Sequence, residues 1–133
     1  PIDVRQVEAQ VLYDRISDCL IREGYLADGV LNQGFDIFAE CKLNKDVFSI
    51  GTSFYFYLIF YDEEGVVLKD ISEGNSAFEK DCEIAKNIEA KKFPKCQKNI
   101  ELFFYFENGE MKNGTLNILT ASNQQGRKIP VVK

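Results

Sequence analysis

Phe54-Tyr55-Phe56-Tyr57-Leu58-Ile59-Phe60-Tyr61 is the longest apolar run in the chain. It has the length of a strand and falls far short of the ~20 residues that cross a bilayer as a helix. Phe54, Phe56, Leu58 and Phe60 fall on one side of such a strand, and Tyr55, Tyr57, Ile59 and Tyr61 on the other. Being apolar on both sides, it reads as the central strand of a sheet. Asp62-Glu63-Glu64-Gly65 then turns the chain, with Gly65 free to adopt positive φ, and Val66-Val67-Leu68 returns as a short strand.

Further strands flank this hairpin. Residues 35–43 alternate with period two, setting Phe35, Ile37, Ala39, Cys41 and Leu43 on an apolar face. Asp36, Glu40 and Lys42 point the other way, with Phe38 as the exception. Ile100, Leu102, Phe104 and Phe106 are expected to form the core face of another strand, with Phe103 and Tyr105 opposite. Asn108-Gly109 and Asn113-Gly114 are turn dipeptides, and Leu116, Ile118 and Thr120 continue a strand that pairs with 100–106. Ile129-Pro130-Val131-Val132 suits a short edge strand.

Two segments read both ways. Val7, Ala9, Val11 and Tyr13 alternate as in a strand, while Val4, Val7, Val11, Cys19 and Leu20 make a loose helical stripe that Gly24 could cap. Ser76-Ala77-Phe78-Glu79 has the form of a capping box opening a helix that Phe93-Pro94 would end.

The order of these strands resembles that of bacterial immunoglobulin-like β-sandwich modules. The likeness rests on Gly34-Phe35-Asp36-Ile37-Phe38, on the hairpin Ile59–Leu68 with its aromatic-Asp-x-x-Gly turn of the FxLYD type, and on the closing pair 100–106 and 114–118. It implies a non-catalytic accessory or adhesion-type module. The expected fold is therefore one domain over 1–133, all-β, an antiparallel two-sheet immunoglobulin-like sandwich with at most one short helix. The alternative is an α+β domain with helices at 4–23 and 77–91 against an antiparallel sheet, an order that suits a small acidic adaptor or a secretion-chaperone-like protein.

Composition narrows function by exclusion. The chain has no histidine, so serine–histidine and cysteine–histidine nucleophilic sites and imidazole metal sites are ruled out. No arrangement of the remaining carboxylates, lysines or thiols makes a convincing active site, so the expectation is a non-enzyme without cofactor or metal. Glu40 and Glu101 are expected on strands, facing solvent. The acidic turn 62–64, with Asp70 and Glu73 beyond it, lacks the ligand pattern of a calcium loop and reads as a solvated hairpin tip.

A net charge of −5 argues against nucleic acid as a partner, although Lys86, Lys91, Lys92, Lys95 and Lys98 cluster locally. No membrane insertion is expected. No signal-peptide pattern is present, and a start at Pro1 rather than Met suits a processed or trimmed product. Cys19, Cys41, Cys82 and Cys96 allow three disulfide pairings, though the phase of Cys41 suits a buried free thiol. The even cysteine count and the fold resemblance tilt the expected location away from the cytoplasm. Asn113-Gly114-Thr115 is an N-glycosylation triplet, of consequence only in a secreted eukaryotic protein.

What remains is an aromatic surface. If 35–43, 54–61 and 100–106 share a sheet, then Phe38, Tyr55, Tyr57, Tyr61, Phe103 and Tyr105 lie together on the face away from the main apolar set. Such a face suits a protein partner, a second copy in a homodimer, or a sugar, because the rings stack while the hydroxyls stay wet. The competing expectation is that the N-terminal segment or residues 76–92 cover it as a second core layer.

Overall fold

The computed structural model describes residues 3–49, 53–85, 93–124 and 130–133. In chain order the elements are α1 (Arg5–Leu20), β1 (Ile21–Arg22), β2 (Tyr25–Leu26), α2 (Ile37–Glu40), α3 (Lys45–Ser49), β3 (Phe54–Asp62), β4 (Val67–Gly74), α4 (Ala77–Ala85), β5 (Lys95–Glu107) and β6 (Glu110–Ser122). The strands form one six-stranded sheet in the order β1-β2-β5-β6-β3-β4. It curls into a half-barrel and is mixed, because β2 runs parallel to β5 at Tyr25 and Phe104.

The chain is strand-rich, but among the described residues its strands make a single sheet with helices on both faces. That differs from the expected pair of antiparallel sheets. Helices do occupy 5–20 and 77–85, where the α+β alternative places them, although residues 86–91 lie outside the described residues. The lysines at 86, 91 and 92 lie outside them too.

α1 forms because Ala9, Leu12, Tyr13, Ile16 and Leu20 recur at helical spacing and are all buried. The expected stripe is a different one, and its Val7 and Val11 face solvent. Arg5 anchors the start of α1. Its guanidinium is paired with Asp3 at 2.7 Å and donates to the Phe93 carbonyl and to Asn123. After α1, Glu23 and Gly24 both take positive φ and close the small β1–β2 hairpin.

The strand expected over 35–43 is instead the short helix α2. The Asp36 carboxylate accepts from the Phe38 and Ala39 amides and caps it. Ile37, Phe38 and Cys41 then fall on one helical face and are buried, which removes the anomaly of Phe38 in a strand. Cys41 is not a free thiol. It is bonded to Cys19 and ties α2 to the end of α1, while Cys82–Cys96 ties α4 to β5. At the C-terminal edge, Val132 makes an isolated bridge with Leu43, so 130–133 run as little more than one bridge of strand.

β3 is central, between β6 and β4, as its two apolar sides require. The Asp62 carboxylate accepts from the Glu64 and Val66 amides at 2.9 Å and builds the acidic turn from its own backbone. The β5–β6 hairpin closes on Asn108 and Gly109, both at positive φ as a two-residue type I′ turn needs. That turn sets Glu107 opposite Glu110, and hence Phe103 opposite Gly114 and Glu101 opposite Leu116.

On the inner face α1, α2 and α3 pack against Phe54, Phe56, Leu58, Phe60, Phe103, Tyr105, Leu116 and Ile118. On the outer face α4 covers Tyr55, Leu119 and Ala121 with Phe78 and Cys82. A Cβ on Gly114 would overlap the edge of the Phe103 ring at Cζ and Cε1 and stand 2.8 Å from the Tyr61 carbonyl oxygen. The Gly114→Ala variant is therefore expected to lose on the order of 2 kcal/mol in urea unfolding, since the ring and strand backbone must move apart. Gly34→Ala, where a Cβ meets nothing within 4 Å, should change stability by less than about 0.5 kcal/mol.

Candidate functional site

The six aromatic residues singled out above do not share one exposed face. Phe38 is in α2 and packs against Phe48 and Phe56 in the core. Phe103 and Tyr105 are buried on the inner face, with Phe103 edge-on to Phe60. Tyr55 is buried on the outer face beneath α4. Only Tyr57 and Tyr61, both half-buried, look outward. The covering layer expected from 76–92 is present as α4 over Tyr55, and that from the N-terminal segment as α1 over Phe103 and Tyr105.

The phase of β5 is the reverse of the expected one. Pairing to β6 puts Glu101, Phe103 and Tyr105 on the inner face with Gly114, Leu116 and Ile118. Ile100, Leu102, Phe104 and Phe106 therefore stand on the outer face, 58%, 74%, 40% and 66% exposed. Met111 on β6 lies opposite Phe106, and Tyr25 on β2 lies beside Phe104. Tyr25 is stacked parallel to Phe106 with centroids 6.3 Å apart and tilted against Phe104 at 5.7 Å. Six large side chains thus form one stripe about 20 Å long on the outer face of the curled sheet.

Fully open, side chains of this size show on the order of 150–250 Å² each, so the stripe presents roughly 600 Å². That is the upper end of the apolar patch found on ordinary monomers. Asn113 and Thr115 on β6 border the stripe with polar groups. Lys98 stands at one end, whereas Glu107 and Glu110 beyond the other end share the face of Tyr105 and Lys112, where Glu107 is paired with Lys112 at 3.1 Å. Along its free side β5 has no strand partner from Lys95 to Phe103 among the described residues.

Elsewhere an open, mostly charged groove of about 480 Å³ runs among Asp14, Arg15, Asp18, Arg22 and Glu40. A depression of about 260 Å³ between α4 and the outer sheet face is lined by Tyr57, Glu79, Cys82, Cys96 and Lys98. It is smaller than the usual small-molecule pocket. Glu40 and Glu101 are not paired on strands. Glu40 ends α2, and Glu101 faces inward, where it accepts the Tyr13 hydroxyl at 2.5 Å. Among the described residues no cluster of three or more carboxylate or thiol groups could hold a metal ion. No described helix is long and apolar enough to cross a membrane.

No family model, curated protein or solved structure matches this chain.

Burial leaves its mark on the tyrosines of both layers. Burial, the Glu101 carboxylate and the hydrogen bond to it push the Tyr13 phenol well above its ordinary range. Burial and the nearby Glu79 raise Tyr55 to about 12. Below pH 10.0, the ordinary tyrosine value, the folded and unfolded chains both keep this proton. Above it only the unfolded chain gives the proton up, so stability falls as pH climbs toward 12. Urea midpoints measured from pH 9 to 12 should show this fall, and Tyr55→Phe should make it shallower. An unchanged profile in the variant would mean that Tyr55 is open to solvent.

Proposed function

We propose that this chain is a non-enzymatic interaction module that binds protein through the outer apolar stripe of β5, with Met111 and Tyr25 at its flanks. The observation that carries this reading is the exposure of Leu102 and its neighbours in a continuous row on the outer face of β5. Strand residues facing water are normally polar, and a continuous apolar row there is costly unless something covers it. The rim fits the anatomy of such interfaces, with an apolar centre bordered by Asn113, Thr115 and Lys98.

The two disulfides support an oxidising compartment, since such bonds are rarely kept where glutathione holds thiols reduced. The stripe favours protein over sugar. Half of it is aliphatic, whereas glycan recognition relies on ring stacking combined with hydrogen bonds at the centre of the site.

A photo-crosslinking residue at position 102 should join the chain to protein, and one at Ser72, on the outer face of β4, should not. Leu102→Lys and Phe106→Lys should each abolish capture while leaving the thermal midpoint within about 2 °C, since neither side chain is core. Capture that survives both substitutions would remove the stripe as the site. A loss of several kcal/mol would show that these residues are buried in the fold.

A further inference from the structure

We infer that the stripe's partner docks as an extended strand on the free edge of β5 between Asn99 and Phe103, with basic side chains toward α1 and apolar ones beside Ile100 and Leu102. This rests on the proposal that the outer stripe binds protein, and it specifies the form and chemistry of the bound segment.

The backbone of this edge is open. Phe104 directs its amide away from β6 and donates it to the Gly24 carbonyl at 2.8 Å. Amides alternate sides along a paired strand, so those of Ile100 and Leu102 point the same way, as do their carbonyls. The β1–β2 hairpin fills the place beside β5 at Phe104, and among the described residues no strand continues it toward Lys95. The Ile100 amide donates to the carboxamide oxygen of its own neighbour Asn99 at 2.9 Å, in the role a partner strand's carbonyl would take. The gap ends where Cys82–Cys96 holds α4 to β5. From Asn99 to Phe103 it spans roughly 17 Å, the length of an ordinary short strand. Lysine and proline are the usual guards of an open edge, and that stretch contains neither.

A strand added here extends the sheet through main-chain hydrogen bonds, and its side chains alternate between the two faces. Those on the outer face lie beside Ile100 and Leu102, 58% and 74% exposed, and cover the apolar row as a neighbouring strand does within a sheet.

Charge selects the side chains on the other face. There the edge carries Glu101, which accepts the Tyr13 hydroxyl at 2.5 Å, and α1 brings Asp14 close enough to act on the same phenol. Glu8 on one flank of α1 reaches Gln124 past the end of β6. Helical spacing puts Asp14, and Gln10 that donates to it, on the opposite flank, toward the free edge. Among the described residues neither Glu101 nor Asp14 is in an ion pair. An acidic neighbour is repelled here, an apolar one leaves two carboxylates unanswered, and lysine or arginine is accepted.

A blocked heptapeptide of alternating lysine and valine, added to the isotope-labelled, disulfide-bonded chain, tests this by nuclear magnetic resonance. In the chain alone the Leu102 amide should exchange rapidly with solvent, and saturating peptide should slow it at least tenfold. Asp14→Lys, at an exposed position, should weaken binding severalfold and strengthen binding of the glutamate–valine counterpart. A Leu102 amide already protected in the chain alone overturns the inference. So does peptide binding that leaves this amide exchanging rapidly or is indifferent to Asp14→Lys. If the peptide does not bind while position 102 still crosslinks protein, strand addition fails and the binding role of the stripe stands. If position 102 crosslinks nothing, both fall.

Discussion

The ring of Phe103 occupies the space that a side chain on residue 114 would fill, and the arrangement of the sheet depends on that exchange. Glycine is needed at 114 because the ring and the Tyr61 carbonyl crowd its Cα from one side. A strand slipped by one residue would turn every side chain of β5 to the opposite face. The Asn108-Gly109 turn excludes such a slip by setting Glu107 opposite Glu110. Turn chemistry and the Phe103–Gly114 fit thus specify the same register, and agreement between local and long-range preferences selects one structure over its neighbours.

Both core layers follow from this phase. With Phe103 and Tyr105 inward, α1 has an aromatic floor to cover, and Tyr13 can reach Glu101, whose charge would otherwise face the helix unanswered. Thr120, also on the inner face, donates to the Ala9 carbonyl and fixes the helix along its length. With Cys96 outward, the second disulfide can hold α4 over Tyr55. The residues left over on the outer side of β5 are Ile100, Leu102, Phe104 and Phe106. The exposed stripe is therefore a consequence of the register that builds the core, and the proposed interface shares its cause with the fold.

Much of this was legible in the sequence. The double-sided run 54–61 gave a central strand, Asp62-Glu63-Glu64-Gly65 and Asn108-Gly109 gave turns, and the segments at 4–23 and 76–92 carried helical signals beside competing ones. The stretch 35–43 misled because its alternation also suits a capped helical turn. Asp36 decides for the helix through hydrogen bonds that periodicity does not register. β5 misled for another reason. Its even-numbered residues are the more apolar set, so periodicity alone turns them inward. A signal to the contrary was present. A two-residue Asn-Gly turn pairs Glu101 with Leu116 and Phe103 with Gly114, and cross-strand partners share a face. Since Leu116 and Ile118 are the inward residues of β6, the odd-numbered residues of β5 must be inward too. The expected site residues Phe38, Phe103 and Tyr105 were thus assigned to a surface by phase errors, while Tyr57 and Tyr61 do face outward.

The phase of β5 is the claim on which the fold, the stripe and its proposed occupant all stand. The direct measurement is nuclear magnetic resonance of the aromatic and methyl groups with a soluble gadolinium chelate added, at a concentration where the chain is monomeric. The account predicts strong broadening of Leu102 methyl and Phe106 ring signals, with Phe103 and Tyr105 protected. Broadening of Phe103 and Tyr105 with protection of Leu102 and Phe106 would contradict it.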